Sequence, residues 1–239
     1  MPTVGELSAG YENFMFAPRR GPDTCQVCFN FTRGFARCYA CAHGHQELDV
    51  VAPISYSVAG EQLHHVLAQY KRVDGEIGRR LRMELAAVLW RHLERHERCA
   101  ARGAGTDEFS LVTTVPSSDQ DRDERQPLKE VVGEIIGPTR ERYERLLRRS
   151  DRDVVPHTYD ARKYDATRRL SGEAVLLIDD TWTTGANAQS AAAALKSAGA
   201  GAIAAVVIGR HLNRDWHEND DRLCGIRRPF DWTRCALCG

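Results

Sequence analysis

Two adjacent carboxylates, Asp179 and Asp180, follow a short apolar segment (175–178) and precede a turn rich in hydroxyl groups. The apolar segment has the length and composition of a strand buried on both faces. After the turn, the alanine-rich segment 186–198 has the composition of a helix. The first amides of a helix lack internal partners and its dipole favours an anion, so the sequence predicts a phosphate site at the turn. The residues of this turn are Thr181, Trp182, Thr183, Thr184, Gly185, Ala186 and Asn187.

The two aspartates indicate that the ligand carries more than a phosphate. A bare phosphate would be repelled by two carboxylates, whereas the vicinal hydroxyls of a ribose can donate hydrogen bonds to them. A ribose 5-phosphate fits, with its hydroxyls at Asp179 and Asp180 and its phosphate in the 181–187 turn. The run is neither a nucleotide-triphosphate P-loop nor a dinucleotide fingerprint, because it lacks G-x-x-x-x-G-K-[ST] and three spaced glycines.

The run V-L-L-I-D-D-T-W-T-T-G-A-N (175–187) resembles the phosphoribosyl-pyrophosphate (PRPP) loop of type I phosphoribosyltransferases. The resemblance implies transfer of ribose 5-phosphate from PRPP, with Mg²⁺, to a small nitrogenous acceptor and release of pyrophosphate. It implies a catalytic role for Asp179 and Asp180. Purine-salvage members usually carry a carboxylate where Thr183 stands, which disfavours hypoxanthine or guanine as acceptor. Asn187 replaces the usual threonine, and its amide can still donate to phosphate.

Three further positions come from the same resemblance. The segment V-P-S-S (115–118) is similar to the turn that contacts pyrophosphate, which gives Ser117 and Ser118 that role; an ordinary strand-to-helix loop is the alternative. Arg122 and Arg125 could add charged contacts there.

A basic loop that closes over the reacting centre in the family corresponds to Arg162 and Lys163. Lys71, after an amphipathic helix, is either a PRPP contact or a surface residue.

Two C-x-x-C pairs lie near the amino terminus, Cys25/Cys28 and Cys38/Cys41. Four thiolates at this spacing are typical of a closed tetrahedral zinc site, and redox pairs do not usually come doubled in this way. Together with a following helix and Lys71, this segment resembles ComF-like proteins, which couple a cysteine-rich segment to a phosphoribosyltransferase domain. We therefore expect a zinc-ribbon-like segment at 1–50 and the main domain at 51–239.

The carboxyl-terminal tail, 211–239, holds three more cysteines, Cys224, Cys235 and Cys238. They predict either a second metal site, with His217 as a candidate fourth ligand, or a shared site with one amino-terminal pair. Cys99 is interpreted as a packed thiol. His92 and His96 lie among charged residues and are expected on a solvated helix face.

The predicted elements place the aspartates at the edge of an open parallel sheet flanked by helices. Residues 1–20 show no period and are read as an arm. The pattern is helical from 55 to 99 and again from 128 to 147, where it is interrupted at Gly137-Pro138. Strands are expected at 109–115 and 203–208. Strand, helix and strand around 175–208 predict a right-handed parallel crossover, so ligands should bind at the strands' carboxyl ends. Arg210 and His211 should border the acceptor pocket there.

Composition sets few further limits. The 239 residues contain 33 basic and 33 acidic side chains, so net charge gives no argument for nucleic acid, although it does not exclude it. The apolar runs are too short to span a bilayer and no signal peptide is visible, so a cytoplasmic protein is expected. A homodimer stays open. Two alternatives to an enzyme also stay open: a ComF-like accessory protein in DNA uptake or processing, and a PRPP-binding regulator without turnover.

Overall fold

The structure is a computed structural model and describes residues 2–117, 127–152, 154–155, 158–226 and 228–238. In these ranges, four parallel strands form the central sheet and two short antiparallel strands form a separate ribbon. The strands are β1 (Val50–Val58), β2 (Leu111–Thr114), β3 (Leu147–Arg149), β4 (Tyr164–Ala166), β5 (Val175–Trp182) and β6 (Ile203–Leu212). The sheet has the order β1–β6–β5–β2, and β3 pairs with β4.

Helices flank this sheet. The longest, α4, packs against β1 and β6 and against the helical turns that follow β2. The α-helices are α1 (Val4–Ala9), α2 (Tyr39–His43), α3 (Gln62–Gln69), α4 (Gly75–Gly103), α5 (Pro127–Lys129), α6 (Gly137–Arg140), α7 (Ala186–Ser197) and α8 (Asn219–Cys224). A 3₁₀ turn at Gly10–Asn13 follows α1, and a π-helical segment at Glu130–Ile135 follows α5.

The parallel crossover predicted from the sequence is confirmed. Residues 175–178 of β5 are fully buried, as expected for a central strand. β5 pairs in parallel with β6, from Val175 opposite Ile203 to Trp182 opposite Arg210, and α7 connects the two strands. β2 lies on the other side of β5 and ends with Thr114 opposite Ile178. The aspartates after Ile178 therefore project from the carboxyl-terminal edge of the sheet.

Three expectations about the remaining elements are wrong. The helical pattern expected from residue 55 begins only with α3, because 50–58 instead form the edge strand β1, paired along its length with β6. The expected amino-terminal arm is folded: α1, opened by a capping box at Thr3, packs on α4, and Met15 and Phe16 are buried. The segment 128–147, expected to be helical on both sides of an interruption at Gly137-Pro138, instead forms short helical turns that end at Arg140 and reaches β3 at Leu147.

In the described ranges, no helix combines the length and the apolar character that crossing a bilayer requires.

Candidate functional site

A cavity of about 560 Å³ lies at the carboxyl-terminal edge of the sheet, and we call it the main cavity. The ends of β2, β5 and β6 form one wall, and the end of α3 with the loop after it forms another. The structure brings both aspartates, part of the 181–187 turn and Ser117 to this one cavity. The lining residues that the sequence had singled out are Lys71, Ser117, Asp179, Asp180, Thr181, Thr183, Asn187 and His211.

Asp180 is buried, with 4% of its surface exposed, and its charge is compensated inside the cavity wall. The hydroxyl of Tyr70 and the ammonium group of Lys71 both contact Oδ2 of Asp180. Burial, and next the nearby Asp180 carboxylate, raise the pKa of Tyr70 well above its usual value, so its phenol stays a donor. Tyr70 is a site residue that the sequence analysis missed, since nothing in the local pattern distinguishes it from a core tyrosine.

Asp179 is half-buried and lies beside Asp180 in the same cavity. Its Oδ1 accepts a hydrogen bond from the Asp180 amide at 2.9 Å. Burial first, and the neighbouring Asp180 charge second, raise the pKa of Asp179 to about 7, while Lys71 opposes the shift. A carboxyl group with a pKa near neutrality, in a cavity with a specific charged neighbour, is a candidate functional group.

The 181–187 turn has the geometry of an anion site at the start of a helix. Gly185 adopts φ +87°, which glycine tolerates best, and a Cβ there would lie 2.1 Å from Cζ2 of Trp182. The Thr184 hydroxyl accepts the Ala186 amide at 3.3 Å. Within the described ranges the amides of Gly185 and Asn187 have no partner, so they can donate to a ligand.

Other predicted residues of the turn and its surroundings do not line the main cavity. Trp182 is buried, and its ring occupies the space beneath Gly185. Thr184 and Ala186 line a second cavity of about 240 Å³, together with Trp182. Gly185 shapes the turn without lining either cavity.

The basic residues expected over the reacting centre lie elsewhere. Arg162 is exposed and forms an ion pair with Asp160 at 3.3 Å. Lys163 is buried and donates to Oδ1 of Asn187 at 2.7 Å, so it supports the start of α7 from behind the turn. Ser118, Arg122 and Arg125 lie outside the described residues, and their predicted contacts are not tested.

Basic side chains outnumber acidic ones along the described lining of the main cavity. Lys71, Arg72, Lys129 and Arg145 stand against the two aspartates. Arg72, Lys129 and Arg145 were not singled out from the sequence, because nothing in their local patterns indicates that they line a cavity. The combination of several cations with two carboxylates suits a ligand that carries both phosphate and hydroxyl groups.

The four cysteines Cys25, Cys28, Cys38 and Cys41 form a cluster, here the amino-terminal cluster. Their Sγ atoms all lie within 4.8 Å of one another, and those of Cys28 and Cys38 are 3.6 Å apart. A tetrahedral zinc ion with bonds of about 2.3 Å requires sulfur separations of about 3.8 Å, so the donor set fits such an ion. This cluster could therefore hold a structural metal such as zinc, as the spacing predicted.

Arg210 connects the amino-terminal cluster to β5. It is buried, and its guanidinium donates to the carbonyls of Cys28 at 3.1 Å and Trp182 at 3.3 Å. The prediction that Arg210 borders the acceptor pocket is wrong, because its side chain extends toward the cysteines. His211, the next residue, does line the main cavity.

A second group of possible metal ligands corrects the interpretation of the tail. His96, Cys99, Cys235 and Cys238 lie within 4.8 Å of one another, and this group, the tail cluster, could also hold a metal. Among the residues that the structure describes, neither Cys224 nor His217 belongs to it, and the tail does not share the amino-terminal cluster. The interpretation of Cys99 as a lone packed thiol is wrong, because Cys99 belongs to this group. The solvated face expected for His92 and His96 is wrong, because both side chains are buried.

Comparison with known proteins adds no assignment. No protein-family model matches the chain, and no curated protein matches it in sequence. The likeness of residues 175–187 to the PRPP loop therefore stands on those residues alone.

Proposed function

We propose that this chain is a PRPP-dependent phosphoribosyltransferase that transfers ribose 5-phosphate to a nitrogenous acceptor. One observation carries the proposal: Asp179, Asp180 and the cavity-facing part of the 181–187 turn line a single cavity at the carboxyl ends of parallel strands. Ligands of open α/β sheets bind at this edge. The chemistry of the lining, with two carboxylates beside an unpaired helix N-terminus, matches a pentose that carries a phosphate.

Each part of the cavity has a role in this proposal. The amide of Asn187 and the hydroxyl of Thr183, which both line the cavity, hold the 5-phosphate, and Asp179 in its ionised form accepts hydrogen bonds from ribose hydroxyls. Ser117 and the basic residues Arg72 and Lys129 face the pyrophosphate. Mg²⁺ bound to PRPP would supply positive charge that neutralises the leaving pyrophosphate, and phosphate and water oxygens would hold it rather than a cage of protein ligands.

During the reaction, positive charge develops on the ribose ring and negative charge on the leaving pyrophosphate. The cavity residues therefore act by positioning the reactants and by stabilising these charges. The bond between C1 of the ribose and the pyrophosphate oxygen breaks, and its electron pair leaves with pyrophosphate. The lone pair of the acceptor nitrogen forms the new bond to C1, and the nitrogen then loses a proton. The carboxylates of Asp179 and Asp180 stabilise the positive charge that develops on the ribose ring.

The acceptor proton needs a base other than Thr183, which stays neutral and protonated at neutral pH. His211 lies on the same cavity and offers an imidazole. Burial, and then the neighbouring His64, lower the pKa of His211, so it is largely neutral near pH 7 and can accept a proton. A substrate with a nucleophilic nitrogen, such as an amine or a nucleobase with an exposed ring nitrogen, fits this arrangement.

Turnover is tested with purified full-length protein, PRPP, Mg²⁺ and a panel of bases and amines, with pyrophosphate release as the readout. We expect release with at least one acceptor, and its loss in the Asp179→Asn/Asp180→Asn variant. The exposed Asp107→Asn variant is the matched control and should keep full activity.

Binding without turnover is the second candidate function. It is favoured by one observation, that Asp180 is already engaged by Tyr70 and Lys71 and so is not a free carboxylate. Saturable PRPP binding with no pyrophosphate release across the whole panel would support a sensor or an accessory protein and contradict the enzyme proposal.

A further inference from the structure

We propose that the tail cluster is a second zinc site, formed by Cys99, Cys235, Cys238 and Nδ1 of His96, which fastens the carboxyl-terminal tail to α4. His96 and Cys99 are three residues apart on α4 and so project from one face of the helix. Cys235 and Cys238 supply a C-x-x-C knuckle from the tail. The four donor atoms lie within 4.8 Å of one another, which one tetrahedral ion can bridge.

The orientation of the His96 ring selects its ligating nitrogen. Nε2 lies 2.9 Å from the backbone carbonyl of Trp232, and only a protonated nitrogen can donate to that oxygen. Nδ1 then carries the lone pair, and it faces the sulfurs of Cys238 at 3.7 Å and Cys99 at 3.9 Å. A histidine that donates its second N–H to a carbonyl while its other nitrogen faces the ion is the usual arrangement at zinc sites.

The backbone around the tail cysteines directs two amides at their sulfurs. The amide of Cys235 donates to Sγ of Cys238, and the amide of Leu237 donates to Sγ of Cys235, both at 3.4 Å. These contacts fix the positions of the two sulfurs, which would bind a metal as thiolates. The Sγ atoms of Cys235 and Cys238 are 3.2 Å apart, well beyond the disulfide bond length of about 2.05 Å.

Contacts of Phe230 and Trp232 hold the tail in place just before the two cysteines. Phe230 donates its amide to the carbonyl of Glu12 at 2.9 Å, and the indole of Trp232 donates to the Glu12 carboxylate at 2.8 Å. The guanidinium of Arg91 lies 4.5 Å from the Trp232 ring centroid, which adds a cation–π contact from α4. A metal at the end of this path closes a long chain loop, and such a closure stabilises the folded state.

The site is separate from the proposed PRPP chemistry. Its four ligands are absent from the lining of the main cavity, and His96 and Cys99 lie on α4, away from the 181–187 turn in the sequence. Its role is structural, since four protein ligands leave no open position for catalysis.

Zinc content of full-length protein tests this proposal without reference to activity. We expect two zinc ions per chain by elemental analysis of the wild type. Cys235→Ser and His96→Ala should reduce the content to one while the amino-terminal cluster keeps its ion. Cys224→Ser, which alters a cysteine outside both clusters, should keep two. One ion in the wild type, or two in the His96→Ala variant, would overturn the assignment.

Alkylation of the wild type gives a second test that does not depend on the variants folding. Cys224 and Cys238 are both exposed, so accessibility alone predicts that iodoacetamide modifies both at similar rates. A bound zinc should protect Cys238 and leave Cys224 reactive, and a chelator should remove the difference. Equal modification before chelation, or a Cys235–Cys238 disulfide by mass spectrometry, would contradict the proposal.

Discussion

Lys71 forms an ion pair with Asp180 within the main cavity, joining the loop after α3 to the end of the central strand. Asp180 is almost fully buried, and Tyr70 donates to the same oxygen. The pair therefore compensates one carboxylate of the adjacent two directly. Burial and the Asp180 charge raise the pKa of Asp179, and Lys71 opposes this shift without cancelling it.

Replacing Lys71 should destabilise the protein and weaken PRPP binding. Lys71→Met leaves a buried carboxylate with only Tyr70 as its partner, and loss of one member of a fully buried pair costs about 3–5 kcal/mol. The Lys71 side chain is 28% exposed, so we expect a smaller loss of about 1–2 kcal/mol in the free energy of unfolding measured with urea.

The matched control for this substitution is Lys196→Met. Lys196 also pairs with an aspartate, Asp49, at 3.3 Å, but both side chains are about one-third exposed. Such pairs contribute roughly 0–1 kcal/mol. Equal losses for the two variants would show that the Lys71–Asp180 pair has no special energetic role.

Substitution of Gly185 should disrupt the turn through two effects that a control separates. Gly185→Ala places a methyl group 2.1 Å from the Trp182 ring and forces alanine to φ +87°. Gly60 has a similar φ of +79° but nothing within 4 Å of an added Cβ, so Gly60→Ala should show only the backbone cost, about 1 kcal/mol. We expect Gly185→Ala to lower the thermal midpoint clearly more than Gly60→Ala, and similar shifts would refute the close packing of the turn on Trp182.

The raised pKa of Asp179 predicts how stability depends on pH. Its folded pKa of about 7 lies above the unfolded value of about 3.9, so the folded state favours the protonated form. This contribution to stability is complete below the unfolded pKa and is lost as the pH rises through about 7. The free energy of unfolding of Asp179→Asn should therefore increase relative to the wild type between pH 4 and pH 8.

The expected gain is on the order of 1–3 kcal/mol, since one pKa unit corresponds to about 1.4 kcal/mol and Asp179 is only half-buried. Urea unfolding at several pH values measures the difference. The Asp107→Asn control, at an exposed position, should show no trend. If the difference in free energy of unfolding between Asp179→Asn and the wild type did not change with pH, the folded state would not favour protonated Asp179.

Loss of a cysteine from the amino-terminal cluster should affect the main cavity through Arg210. Cys25→Ser removes one of the four sulfurs, and the Arg210 guanidinium bridges Cys28 to the end of β5 at Trp182. We expect a fall in the thermal midpoint of roughly 10 °C or more, at 2–4 °C per kcal/mol for a chain of this size, together with weaker PRPP binding. Cys224→Ser should change neither quantity. Normal stability and normal PRPP binding in Cys25→Ser would contradict this coupling between the amino-terminal cluster and the main cavity.

The sequence predicts the centre of the fold well because its signals there are local. The buried run 175–178, the alanine-rich α7 and the apolar β6 each have a clear pattern, and the parallel crossover follows from their order. The cysteine spacing 25–41 is local in the same sense. These elements alone are enough to predict that the two aspartates lie at the edge of the sheet.

The rest depends on contacts between distant segments. Tyr70, which is 110 residues from Asp180 along the chain, and the adjacent Lys71 both contact this carboxylate, and no local sequence pattern predicts such a contact. The charged neighbours of His96 in the sequence predict a solvated side chain, although the tail covers it at Trp232. The sequence does not predict β1, because Pro53 interrupts its apolar run and the segment borders directly on a helical pattern.

The central claim is that the main cavity holds a phosphorylated pentose, and titration calorimetry of PRPP with Mg²⁺ tests it most directly. We predict one saturable site per chain in the wild type, at least tenfold weaker binding in Asp179→Asn/Asp180→Asn and in Gly185→Ala, and unchanged binding in Asp107→Asn. Absence of PRPP binding to folded wild-type protein, or binding that survives both cavity variants unchanged, would contradict the account.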